Sequence, residues 1–309
     1  MHADSRLRLL RSWMIDYPSI LGEAMAVLRV TFDTNVLDLA CRPERFPKDA
    51  RQPHLPKVKA ALEAKRLTGF YSVTMLTIEG IMRKDRAEVF GGTRTRFASE
   101  EISTVPNAEL PDEIRDGFDG DVERITMHVE VEQPDRKPLH PEVIARVQAA
   151  KQLGVKVLKA PPRSGQFRID DPTNEWYLSN GEGEALTNWI DMAQQVSRAI
   201  EARGLGSAQV RALGVELASA SDPGQLWFRA LKNAKDIHEE RAVERAFSEW
   251  ADGDAIASHI AYGLDVFCSA DVGNNNATNS IFDPANRAWL TQTYGTRFMT
   301  FDELLAEMN

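Results

Sequence analysis

Short apolar runs followed at once by helical patterns recur at both ends of the chain, and this alternation constrains the fold more than any other feature. Arg29 to Leu37 reads RVTFDTNVL: Val30 and Phe32 belong to a β-branched and aromatic run that stops at a polar turn, which suits a buried strand followed by a loop. Pro56 opens a helix, PKVKAALEAKRLTG, with Val58, Ala61, Leu62 and Lys65 at helical spacing and Gly69 as its stop. Phe70 to Val73 is a second strand, and Thr74 caps the next helix, TMLTIEGIMRKDR, which carries Glu79. At the other end, Asp254 to Tyr262 is a helix of small residues and Asp265 to Ser269 (DVFCS) is a strand. Asn286 to Tyr294 is a helix, Thr296 to Thr300 a last short strand, and FDELLAEMN a terminal helix. Such alternation predicts an α/β fold whose mainly parallel sheet is flanked by helices.

The middle is less regular. Residues 41–56 read as a loop punctuated by Pro43, Pro47, Pro53 and Pro56. Residues 100–140 are acidic and proline-dotted, with one alternating stretch, ITMHVEVE, that predicts an extra strand or hairpin arm. Pro141 opens the helix PEVIARVQAAKQLG, and VKVLKAP follows as a strand. Pro161 to Gly183 is loop-like, and Glu184 to Trp250 is mostly helical. Residues 1–25 read as an N-terminal extension with an amphipathic pattern (Leu7, Leu9, Leu10, Trp13, Met14), or as translation upstream of a natural start at Met25.

With 309 residues, 43% hydrophobic and 27% charged, the chain can build a sizeable core and intrinsic disorder is disfavoured. Its 37 Lys plus Arg against 46 Asp plus Glu give a net charge of −9. That balance disfavours nonspecific coating of nucleic acid, which needs surplus cations, but leaves room for a carboxylate cluster holding a metal. The two cysteines, Cys41 and Cys268, are too few for a disulfide scaffold or zinc ribbon, which favours a reducing cytoplasm. Glu23 and Arg29 interrupt the apolar stretch from Ile20 to Val30, well short of the about 20 residues of a membrane span, and Asp16 and Glu23 break a signal-peptide pattern.

In open α/β sheets, ligands bind beyond the carboxyl ends of the strands. Asp33 ends the first strand, Asp271 follows the DVFCS strand, Glu79 lies just past the second strand, and Asp254 opens the helix feeding DVFCS. Carboxylates that converge repel unless protons or cations compensate, and a hard divalent cation with oxygen ligands, Mg²⁺ or Mn²⁺, is the economical compensation.

Four pieces in this order resemble the PIN-domain nucleases, a family that includes ribonuclease toxins of toxin–antitoxin pairs. They are Asp33-Thr34-Asn35 after an apolar strand, Glu79 five residues past Thr74, DAIASHIAYGLDVF, and Ser269-Ala270-Asp271; the closing RFMTFDELL is also similar to that family's last strand and helix. The resemblance implies a PIN-like fold and a metal-dependent endoribonuclease whose acidic quartet is Asp33, Glu79, Asp254 and Asp271, with Asn35 orienting the site. For the third acid, Asp254 fits the small face of Ala257, Ser258 and Ala261, whereas Asp252 better fits the family's gap to Gly263; Asp254 is preferred. The match covers roughly residues 26–90 and 245–309 as a catalytic core, leaving 91–244 as a large, mostly helical insertion. RNA is the expected substrate and the cytoplasm the expected location. An antitoxin or other protein and a second copy in a homodimer are the expected partners, with no membrane.

Other residues carry blander readings beside functional ones. Arg83, Lys84, Arg86, Arg94 and Arg96 form a basic run that either contacts substrate phosphates or is a solvated helix end. His259 reads as a structural histidine rather than a proton shuttle, and Cys268, Trp227, Trp250 and Trp289 read as core. Asn274, Asn275 and Asn276 either bond a phosphate or form a plain turn. A phosphatase with a nucleophilic aspartate is the rival enzyme, but it needs a second aspartate where Asn35 stands. A catalytically silent RNA-binding or scaffold protein is the rival outside enzymes.

Overall fold

The apolar run around Val30 and Phe32 forms β1 (Leu28–Phe32), the central strand of a five-stranded sheet in this computed structural model. Residues 27–308 are described, apart from 93, 116, 118–119, 133–138, 164–170, 172, 174, 219–223 and 274–278. After β1 come α1 (Thr34–Cys41), α2 (Pro56–Glu63), β2 (Leu67–Ser72), α3 (Arg83–Gly91), β3 (Arg94–Val105), α4 (Asp112–Arg115) and β4 (Val122–Glu132). Next are α5 (Pro141–Gln152), β5 (Lys156–Leu158), α6 (Glu184–Glu201), α7 (Ser207–Glu216), α8 (Trp227–Ala230) and α9 (Ile237–Ala261). The chain closes with β6 (Val266–Cys268), α10 (Pro284–Tyr294), β7 (Arg297–Met299) and α11 (Phe301–Glu307). The sheet order is β5-β2-β1-β6-β7, and every neighbouring pair is parallel. The α/β class and the mainly parallel sheet flanked by helices are as the alternation predicts.

Side-chain period explains the layers. Val266 and Cys268 point to one face of β6, where they pack with Val30, Val36 and Leu37 and with residues of α2, α5 and α11. Phe267 points the other way, against Ile256 and Ala257 of α9, Val196 of α6 and Leu290 of α10. A third cluster, built around Phe247, Trp250, Phe90 and Val210, joins α9 to α3 and α7.

Local departures from the sequence expectation have physical causes. Gly69 does not stop a helix: α2 ends at Glu63, and Gly69 lies inside β2, where an added Cβ would sit 3.0 Å from Leu62 and Val155 and 3.1 Å from Phe32. The expected helix after Thr74 divides into a π-helical turn, Met75–Glu79, and α3. ITMHVEVE is a hairpin arm: it lies in β4, antiparallel to β3. Segment 91–244 is not wholly separate from the sheet, since it supplies α5 and β5, the edge strand beside β2. The boundary expected at 244/245 falls inside α9, which starts at Ile237 where Asp236 accepts from the His238 and Glu239 amides. The N-terminal extension at 1–25 and Asn274, Asn275 and Asn276 lie outside the described residues. Among the described residues no helix is long and apolar enough to cross a membrane.

Candidate functional site

β1 and β6 run side by side, with Phe32 opposite Cys268, so the residues that follow them meet at the carboxyl edge of the sheet. The Asp33 amide donates to the Cys268 carbonyl at 2.9 Å. Asp33 caps α1: its Oδ1 accepts from the Thr34 amide at 2.7 Å, and its Oδ2 accepts from Ser269 Oγ at 2.6 Å. Ser269 Oγ in turn accepts the Asp271 amide at 3.0 Å. Asn35 spans the same gap, donating from Nδ2 to Asp271 Oδ2 at 2.9 Å and accepting the Ala270 amide at 3.1 Å.

Glu79 reaches this edge because the π-helical turn brings it there. Its Oε2 accepts from Thr34 Oγ1, and its own carbonyl accepts from Arg86 Nη2 at 3.1 Å. Thr74 does not cap that turn through its side chain; its Oγ1 lies 2.8 Å from Ser72 Oγ and 3.3 Å from the Ala251 carbonyl. That contact ties the end of β2 to α9 one residue before Asp252.

Asp33, Glu79 and Asp252 line one small pocket with Thr34 and Thr74. Asp271 is near enough for its charge to raise the pKa of all three. Burial, then the charge of Glu79, pushes Asp33 up to about 7 against the bonds from Ser269 and Thr34. Burial also raises Glu79, against the Thr34 bond and the charges of Arg86 and Arg146. Asp252 is pushed well up by burial and then by Asp33 and Glu79.

Asp254, the preferred third acid of the sequence, is not in this group. Two residues along a helix turn the side chain by about 200°, so Asp252 and Asp254 leave α9 on opposite sides. Asp254 is 1% exposed and accepts from Arg163 Nη2 at 2.6 Å and from Trp250 Nε1 at 2.9 Å. Arg163 also donates to Glu201 at 2.6 Å, and Ser207 Oγ donates to the same carboxylate at 2.7 Å. Asp254 does not open its helix either; it lies deep within α9. The set brought together is therefore Asp33, Glu79, Asp252 and Asp271.

Sequence reasoning missed Arg163, one arginine in a loop-like stretch without a pattern to signal it. It also left Thr34 without a role, although Thr34 lies inside the Asp33-Thr34-Asn35 motif. Arg86, expected in a basic surface, is buried and donates to the Glu79 and Ile81 carbonyls, whereas Arg83 and Lys84 are exposed. Arg94 and Arg96 lie on β3. His259 is 1% exposed, with Nδ1 2.8 Å from Thr31 Oγ1, and burial pushes its pKa down to about 3. Cys268 and Trp250 are buried; Trp227 and Trp289 are partly so.

The donor set is carboxylate oxygen throughout, which suits a hard divalent cation, and among the described residues no lysine, arginine or histidine forms an ion pair with any of the four acids. As arranged, no three acidic, histidine or cysteine side chains among the described residues stand close enough to enclose a metal ion together. The acids thus fit such a cation by chemistry and shared location rather than by a closed coordination shell. No protein-family model, curated protein or solved structure matches the chain.

Proposed function

We propose that the chain is a Mg²⁺- or Mn²⁺-dependent endoribonuclease of PIN-like type, with Asp33, Glu79, Asp252 and Asp271 as its metal-binding acids. One observation carries the reading: four acids from separate parts of the chain gather at the carboxyl edge of a parallel sheet, and among the described residues none of them forms an ion pair, although the charges of Arg86 and Arg146 reach Glu79. The strand order is compatible with a PIN-like fold. Bound there, a hard divalent cation supplies Lewis acidity toward a phosphoryl oxygen and toward water. Ser269 and the Thr34 amide orient Asp33, the Thr34 hydroxyl orients Glu79, and Asn35 holds Asp271. Asp252 comes from α9, so its position depends on how that helix is seated. RNA rather than DNA, a cytoplasmic location, and an antitoxin or second copy as partner rest on the sequence resemblance alone.

The open arrangement of the acids favours a second reading, a catalytically silent RNA-binding or scaffold protein. Labelled single-stranded RNA incubated with Mn²⁺ or Mg²⁺ separates the two. The enzyme cleaves it, EDTA stops cleavage, and Asp33→Asn/Asp271→Asn lowers the rate by about a hundredfold or more. RNA binding without cleavage by the unaltered protein under either metal selects the scaffold.

A further inference from the structure

A second hollow, of roughly 640 Å³, opens beside the acidic pocket, and Asp252 lines both. One wall is a face of α9, where Arg245, Ser248 and Asp252 recur at helical spacing. Arg83 lies next to it, at the start of α3. The facing wall is the turn at Asn279 and Ser280. Asn279 adopts a left-handed φ of 54°, and Gln209 of α7 donates to its carbonyl at 2.6 Å. Glu249, buried below, accepts the Ile281 amide at 2.6 Å. The wall is thus built by hydrogen bonds from two helices.

Among the described residues every side chain lining the hollow is polar or charged, which suits a hydrated ligand rather than an apolar one; Glu244, Glu249 and Asp252 line it beside the two arginines, so an anionic strand would be held at Arg83 and Arg245 and not by the hollow as a whole. Arg245 is exposed and, among the described residues, forms no ion pair. Arg83 has 72% of its side chain exposed and only a 3.9 Å contact to Glu244. Exposed guanidinium groups, one unpaired among the described residues and one held only at 3.9 Å, match phosphate oxygens bidentately.

We propose that the hollow holds the sugar–phosphate backbone of a single strand to one side of the bond being cleaved, with Arg83 and Arg245 as its phosphate-binding residues. This rests on the endonuclease reading of the neighbouring acids. Arg245 lies about 10 Å along α9 from Asp252, which is about three times the ~3.4 Å stacked rise per nucleotide. Its phosphate is therefore two or three nucleotides from the cleaved bond. Both contacts position the strand and read no base.

The test is the salt dependence of binding of a labelled single-stranded RNA, followed by fluorescence anisotropy in Ca²⁺ for the full chain. Two lost phosphate contacts lower the log–log slope by about 1.4, so Arg83→Ala/Arg245→Ala should show that decrease. Arg83→Lys/Arg245→Lys, which keeps the charges, should retain the slope, as should Arg66→Ala at the amino end of β2. Circular dichroism melts confirm that each variant is folded. RNA binding with an unchanged slope in the double alanine variant overturns the hollow and leaves the endonuclease reading standing. An equal loss in Arg66→Ala also overturns it, because attraction is then general. No RNA binding by the unaltered protein overturns both.

Discussion

Asp252 and Asp254 stand two positions apart on one helix and face opposite electrostatic surroundings. Asp252 has acids for neighbours, so Asp252→Asn should relieve repulsion: the melting temperature holds or rises while metal-dependent cleavage is lost. Asp254, itself buried, is the acceptor for a partly buried guanidinium, so Asp254→Ala should destabilise by ~2–4 kcal/mol, Glu201 retaining part of the pairing. Thermal melts of the two variants distinguish these outcomes. Asp33 and His259 give a pH test. The folded chain holds Asp33 at about 7 against 3.8 when unfolded, so without metal its contribution to stability falls as pH rises from about 4 to 7. His259 is held at about 3 against 6.5, so its contribution is complete above about 6.5 and is lost as pH falls. The two oppose each other in the unaltered protein. Asp33→Asn removes one opposing carboxyl while the raised Glu79 and Asp252 remain, so as pH falls from about 7 to 4 melts should show the variant gaining less stability, or losing more, than the unaltered protein. Mg²⁺ or Mn²⁺ competes with the Asp33 proton, so its stabilising shift should grow toward higher pH. Asp33, Glu79 and Asp271 were legible in the sequence because each sits next to a strand or turn signal. Choosing between Asp252 and Asp254 was not, since the choice depends on the rotation of α9 and on a distant Arg163.

At the scale of elements, α9 connects the acidic site to the helices around it. Gly253 is the contact point: a Cβ there would stand 3.0 Å from the Gly206 Cα, and Gly206 itself has a φ of 60°. Gly253→Ala must push α9 away from the start of α7 and carry Asp252 with it. We expect a loss of about 1–3 kcal/mol in melts and a larger relative loss in cleavage than in RNA binding. The strands of the parallel sheet were legible from their apolar runs and β4 from its alternation, whereas β3 was not, because charged residues interrupt its sequence. The start of α9 was not, because Gly253 interrupts its sequence and small residues on both sides suggest a fresh helix. The π-helical turn at Met75–Glu79 was equally hidden, since its register depends on where Glu79 must point.

For the whole molecule, segment 91–244 divides into parts of different consequence. The β3–β4 hairpin pairs chiefly with itself, so replacing residues 94–132 with a short linker should leave the melting temperature and cleavage largely intact. Removing all of 91–244 takes away β5, α6 and the first turns of α9, and circular dichroism should then show no cooperative unfolding. The central pairing of β1 with β6 has a consequence in time. Ser269 meets Asp33 across 236 positions, and at roughly 5–20 residues per second a ribosome needs tens of seconds to bridge them. For most of that interval Asp33, joined by Glu79 46 residues later, exists on a nascent chain that has neither Asp252 nor Asp271. On the endoribonuclease proposal, a chemistry that requires all four acids stays silent until residue 271 is made, so order of synthesis alone keeps a half-made chain harmless to the message that encodes it.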